Sequence, residues 1–146
     1  SKAYVRAVQY LPNDLQARAD LALHYDRTKQ KANAATQYRE VLKLQPDHLA
    51  AKNSLAWILA TTQDAKLRNA AEAVTLAEQV CQATEFKSPE PIDTMAAAYA
   101  AAGRFNEAIK ASMHGLQLAQ GNGQEGVARQ LQNRMALYKE GKPYVE

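Results

Sequence analysis

The chain of 146 residues contains one cysteine, one tryptophan and two phenylalanines. It has no run approaching the roughly 20 apolar residues that cross a bilayer, so direct membrane insertion is not expected. A lone thiol, Cys81, can form neither an internal disulfide framework nor a cysteine-based zinc site. One buried thiol is tolerated in either redox setting, so the compartment stays open between cytoplasm and periplasm. No stretch is rich in Val, Ile and Thr, which disfavours strands. Ser1 to Leu11 lacks the charged-then-apolar layout of a secretory signal. What the chain does have is alanine, within an ordinary hydrophobic fraction of 47%. That composition favours folded helices that approach one another closely through small side chains.

The net charge of +3 is unevenly spread. Residues 1–45 carry +4, residues 46–92 carry −2 and residues 93–146 carry +1. The basic segment has no run of Lys/Arg and no interleaved aromatics, so it reads as a solvated helical surface, and no nucleic-acid partner is expected.

An internal period organises the sequence. Pro12 and Pro46 stand 34 residues apart, as do Tyr4 and Tyr38, and Ala7 and Val41. Between the prolines, Asp14 is placed to cap a helix that carries Leu21, Ala22 and Tyr25 on one face. A polar break from Asp26 to Asn33 follows. A second helix with Ala34, Tyr38, Val41 and Leu42 stops before Pro46, which cannot continue it. The product is an antiparallel helix pair.

In Leu21, Ala22, Tyr25, Ala34, Tyr38 and Pro46 this unit resembles the tetratricopeptide repeat. It departs in Arg18, which fills the leading aromatic slot, and in Lys29, where glycine often makes the turn. Met95, Ala96, Tyr99, Gly103, Phe105 and Ala108 repeat the pattern, with Ile92 leading. Ser112 and Gly115 stand where an aromatic and a small residue are usual, which predicts looser packing there. The middle copy starts with Leu55, Ala56 and Leu59 but reaches its next alanine, Ala73, five residues late. The resemblance implies an all-α fold: a right-handed superhelical stack of antiparallel helix pairs with a C-terminal capping helix. The expected organisation is a half repeat at 1–13, a repeat at 14–47 and an irregular repeat at 48–88 with an enlarged loop at 61–69. A repeat at 89–122 and a cap and tail at 123–146 complete it. The link from Glu85 to Pro91 is expected to be long. The middle unit and the ending Gly141-Lys142-Pro143-Tyr144 resemble the C-terminal repeats of larger bacterial tetratricopeptide proteins. Tyr4, Val8 and Leu11 give the first helix an apolar face with no preceding partner, as if the array were cut from a longer one.

No catalytic constellation, metal site or cofactor motif emerges. His24, His48 and His114 are isolated, and Gly121-Asn122-Gly123 lacks the strand and Lys-Ser/Thr of a phosphate loop. Cys81 lies on an apolar stripe, as an inert core thiol does. The resemblance implies protein or peptide binding in a groove lined by the first helix of each unit. About a quarter turn from the core stripe lie Gln16, Ala19, Asp20, Leu23 and Arg27 in one unit. Asn53, Ser54, Trp57 and Thr61 hold the same place in the next, and Glu90, Asp93, Thr94 and Ala97 in the last. Of these, Asp20, Leu23, Arg27, Asn53, Trp57, Asp93 and Thr94 are the candidate partner-binding residues. Trp57 lies about 200° from the core stripe and reads either as a binding anchor or as packing against a neighbouring repeat. Some tetratricopeptide domains grip acidic chaperone tails through Lys, Asn and Arg. Glu90 and Asp93 stand against that ligand here. Two alternatives remain open: self-association through Tyr4, Val8 and Leu11, and an accessory segment of a larger enzyme such as a glycosyltransferase or kinase.

Overall fold

A computed structural model describes residues 2–146, which form eight α-helices and, among the described residues, no strand. They are α1 (Lys2–Tyr10), α2 (Leu15–Arg27), α3 (Lys31–Leu44), α4 (Leu49–Thr61), α5 (Ala70–Ala83), α6 (Pro89–Ala101), α7 (Phe105–Gly121) and α8 (Glu125–Lys139).

Local chemistry sets the helix ends. The Asp14 carboxylate accepts the Ala17 amide at 2.9 Å and starts α2. His48 Nδ1 does the same for Ala51 at 3.0 Å, and Asn69 for Glu72 at 3.1 Å. Each satisfies an amide that the first helical turn leaves without a partner. At the far ends, α2 and α6 close alike: the Gln30 amide donates to Tyr25 and the Arg104 amide to Tyr99, both at 2.8 Å. That closure needs a left-handed residue just past the helix. Gly103 supplies it at φ 77°, whereas Lys29 is held at φ 62° with a side chain attached. The link into α6 is shorter than the prolines suggest. Pro89 and Pro91 both lie inside the first turn of α6, where a missing amide hydrogen costs no helical bond. The loop after α4 begins at residue 62, because Thr61 is still helical and donates its hydroxyl to the Trp57 carbonyl at 2.7 Å.

Consecutive helices pack on one another, and α6 also touches α4 and α8, so α4, α6 and α8 form one wall. The centre of the stack is α6, whose residues 92–100 are all buried. Leu55, Ile58, Leu59 and Ile92 are each at most 1% exposed, and each such side chain contributes about 1.5–3 kcal/mol relative to exposure. Alanines at 34, 56, 73, 77, 96, 98 and 108 have no exposed surface, which is how neighbouring helices come so close.

One further expectation is corrected. Packing around Ser112 and Gly115 is tight: both are buried, and a Cβ added to Gly115 would meet Ile92 Cγ2 at 3.1 Å and Leu131 methyls at 3.3 Å. The small residue lets α7 sit against α6 and α8 at once. The apolar face of α1 is covered only in part, by the following helix: Val8 is 8% exposed and clusters with Ala17 and Leu21, and Tyr4 stacks on His24 at 4.8 Å. Tyr4 and Leu11 are exposed, at 41% and 55%.

Among the described residues, no helix is long and apolar enough to cross a membrane.

Candidate functional site

A cleft of about 420 Å³ is lined by α4, α6 and α8 and by Asp26 of α2. α4 contributes Asn53, Ser54 and Trp57; α6 contributes Glu90, Asp93 and Thr94; α8 contributes Val127, Gln130 and Arg134. Four of the seven expected partner-binding residues, Asn53, Trp57, Asp93 and Thr94, therefore share one cleft. Asp20 and Leu23 line a smaller cleft of about 270 Å³ between α2, α3 and α4, together with Gln16, Ala19, His48 and Ser54. Arg27 lines neither and is exposed. Its neighbour Asp26 takes that place, since one residue rotates the side chain by about 100° around the helix. The Asp26 carboxylate pairs with Lys31 and accepts the Tyr38 hydroxyl at 3.1 Å. Ala97 is also off the open face, buried to 1% exposure.

Trp57 is half-buried and engaged within the chain. After α8 the tail turns at Gly141 and returns to α4, where the Glu146 amide donates to the Thr61 carbonyl at 2.8 Å. The Trp57 indole N–H donates to Glu146 Oε1 at 3.1 Å, and its ring lies 5.7 Å from that of Tyr144. The Arg134 guanidinium is 4.8 Å from the Trp57 ring centre and 4.6 Å from the Tyr144 ring centre. Such cation–aromatic contacts are attractive, more so where water is excluded. The packing reading of Trp57 thus has a definite partner, the tail, while one edge of the indole still lines the cleft.

Arg134 also donates to Asp93 Oδ2. Asp93 is 7% exposed, and burial pushes its carboxyl up to about 6, with Arg134 pulling the other way. Its second oxygen, Oδ1, has no hydrogen-bond partner, and neither does the buried Oδ1 of Asn53. Arg134, Gln130, Tyr144 and Glu146 are not found by reading first helices alone. The available signal was an arginine one turn before Tyr138 on the last helix, and an aromatic in the tail behind Gly141 and Pro143.

The residues expected to be inert have structural contacts. His24 stacks on Tyr4, His48 caps α4, and His114 Nε2 lies 2.8 Å from the Phe86 carbonyl. Cys81 has no exposed surface, and burial pushes its thiol up to about 12, far from a reactive thiolate.

Antiparallel helix pairs in one stack, with first-position helices forming a shared wall, define a helical repeat protein of the tetratricopeptide-like fold. Among solved structures, the chain is similar to the crystal structure of MamA protein, with a TM-score of 0.70 and 14% identity over 96% of this chain and 77% of that one. That likeness is one of fold. No family model and no curated protein matches the sequence.

Proposed function

We propose that the chain is a protein-interaction scaffold that holds a peptide or helix of a partner in the cleft walled by α4, α6 and α8. The observation that carries this reading is the convergence of Asn53, Trp57, Asp93 and Thr94, from two successive repeats, on one open cleft. Ligand sites commonly combine an apolar or aromatic surface with a few convergent polar groups, and Trp57 with Asn53, Asp93 and Thr94 has that make-up. The smaller cleft bearing Asp20 and Leu23 meets the main one at Ser54, which lines both. An extended segment can run from one into the other.

The test is affinity capture with the intact chain, wild type against an Asn53→Ala/Thr94→Val pair, with helicity checked by circular dichroism. The reading expects a partner retained by the wild type and lost by the folded variant. Equal recovery by both would remove the cleft from the interaction.

A second reading, docking of another copy on α1, has Tyr10 and Leu11 behind it, 82% and 55% exposed. Light scattering on Leu11→Asp separates the two: a concentration-dependent dimer lost in that variant favours assembly.

A further inference from the structure

Residues 142–146 form a non-helical strap that crosses the last turn of α4. Its contacts are of the kind that hold bound peptides, a main-chain hydrogen bond for affinity and alternate side chains for specificity. The Glu146 amide donates to the Thr61 carbonyl at 2.8 Å, and the Glu146 carboxylate accepts the Trp57 indole N–H at 3.1 Å. Thr61 ends α4, where helix carbonyls have no partner within the helix. Two residues earlier, the Tyr144 ring lies against Trp57 and against the Arg134 guanidinium. Val145 between them is 43% exposed. Tyr144 and Glu146 also wall a second cavity of about 470 Å³, together with Lys29, Lys31, Ile58 and Thr61. Trp57 and Arg134 line the main cleft as well, so the strap holds two residues that a segment in that cleft would meet.

We infer that the end of α4 is a recognition site for an extended segment carrying an aromatic residue two positions before a glutamate. Tyr144-Val145-Glu146 of the chain itself occupies that site until a partner segment of the same chemistry displaces it. The inference rests on the proposed partner-binding role and names the chemistry of the partner. The site's atoms are reachable by an extended chain, because the strap reaches them. Charge fits the choice of glutamate. Lys29 and Lys31 share the cavity with Glu146, whereas Glu90 and Asp93 line only the main cleft. The aromatic position is set by Trp57 and by a cation, Arg134, against the ring. The hold is also slight enough to release. Among the described residues, no amide of the strap between Lys142 and Glu146 donates to the rest of the chain, and Pro143 has no amide hydrogen to give. Only Tyr144 of the five strap residues is half-buried, and the others are exposed. Segments with so few buried contacts open locally at low cost.

The test titrates the whole chain, wild type and a Tyr144→Ala/Glu146→Ala double variant, with the blocked peptide Ac-Gly-Lys-Pro-Tyr-Val-Glu-amide. Circular dichroism checks that the variant is folded. Trp57 is the sole tryptophan and the peptide has none, so indole emission reports occupancy of the site. The expected result is a saturable blue shift in the double variant, with binding to the wild type about tenfold weaker. A site that its own strap leaves free only about a tenth of the time loses that factor in apparent affinity. Peptides with Ala in place of Tyr, or Lys in place of Glu, should bind the variant at least about fivefold more weakly. Glu146→Ala alone, which removes only an exposed side chain, should give the same order with a smaller gain, and it serves where the double variant is unfolded. Equal affinity of the wild type and the folded variant would overturn the inference, as would equal binding of the substituted peptides or no saturable response. None of these results decides whether a partner lies between α4, α6 and α8, which rests on capture by the Asn53→Ala/Thr94→Val pair.

Discussion

Asp93 gives the folded protein a pH dependence that can be worked out in advance. Its carboxyl ordinarily titrates near 3.8 and in the fold is pushed up to about 6, chiefly by burial, with Glu90 adding to the rise and Arg134 opposing it. Between those values the folded protein keeps a proton that the unfolded chain has already released. Stability therefore falls as pH rises from about 4 to about 6, and this contribution is flat above and below. A displacement of about two pH units corresponds to roughly 3 kcal/mol. The assay is urea unfolding of the wild type and Asp93→Asn at intervals from pH 3.5 to 8. Asparagine does not titrate, so the variant lacks this slope, and it should gain roughly 2–3 kcal/mol relative to the wild type between pH 4 and pH 7. Any constant offset from losing the charge beside Arg134 leaves that change untouched. Parallel profiles across the whole range would refute the reasoning, because they would mean that Asp93 is as well solvated in the fold as out of it.

Other consequences follow from single contacts. Trp57 is the sole tryptophan, so Tyr144→Ala should red-shift its emission, increase its quenching by iodide and cost about 1 kcal/mol in unfolding experiments. Gly115→Val should destabilise by about 1–3 kcal/mol or more, since even a Cβ there meets Ile92 at 3.1 Å. Lys29→Gly should raise stability by roughly 0.5–1 kcal/mol in the same assay, by releasing a left-handed residue that carries a side chain. Ile92→Ala, at the buried centre of α6, should lose about 2–5 kcal/mol.

Much of the fold is legible from residue spacing because the repeat is a local pattern. The 34-residue offsets of Pro, Tyr and Ala/Val positions and the Gly103-Arg104-Phe105 turn need only helical geometry and turn chemistry to be interpreted. The same geometry brings Asn53, Trp57, Asp93 and Thr94 onto one side of α4 and α6. It misses by one residue at Arg27: Asp26 faces the cleft instead, because one residue rotates a side chain by about 100° around the helix. Three other features depend on contacts between distant segments. Trp57 and Glu146 meet across 89 residues, and no local pattern announces that the tail returns to α4. Arg134 stands on a helix read only as a cap, yet it links Asp93, Trp57 and Tyr144. Pro89 and Pro91 look like linker residues in the sequence, although the first turn of a helix accommodates both. Gly115 reads as a packing defect until two facing helices show how little room a Cβ would have there.

The central claim is that a partner segment lies in the cleft between α4, α6 and α8, and site-specific photocrosslinking tests it most directly. A photoreactive phenylalanine replaces Ser54, which lines both clefts, or Lys110, an exposed residue of α7 that lines neither. The account predicts a discrete partner adduct from position 54, absent from position 110 and diminished when Asn53→Ala is added. Indistinguishable adducts from the two positions, or an adduct at position 110 alone, would contradict it.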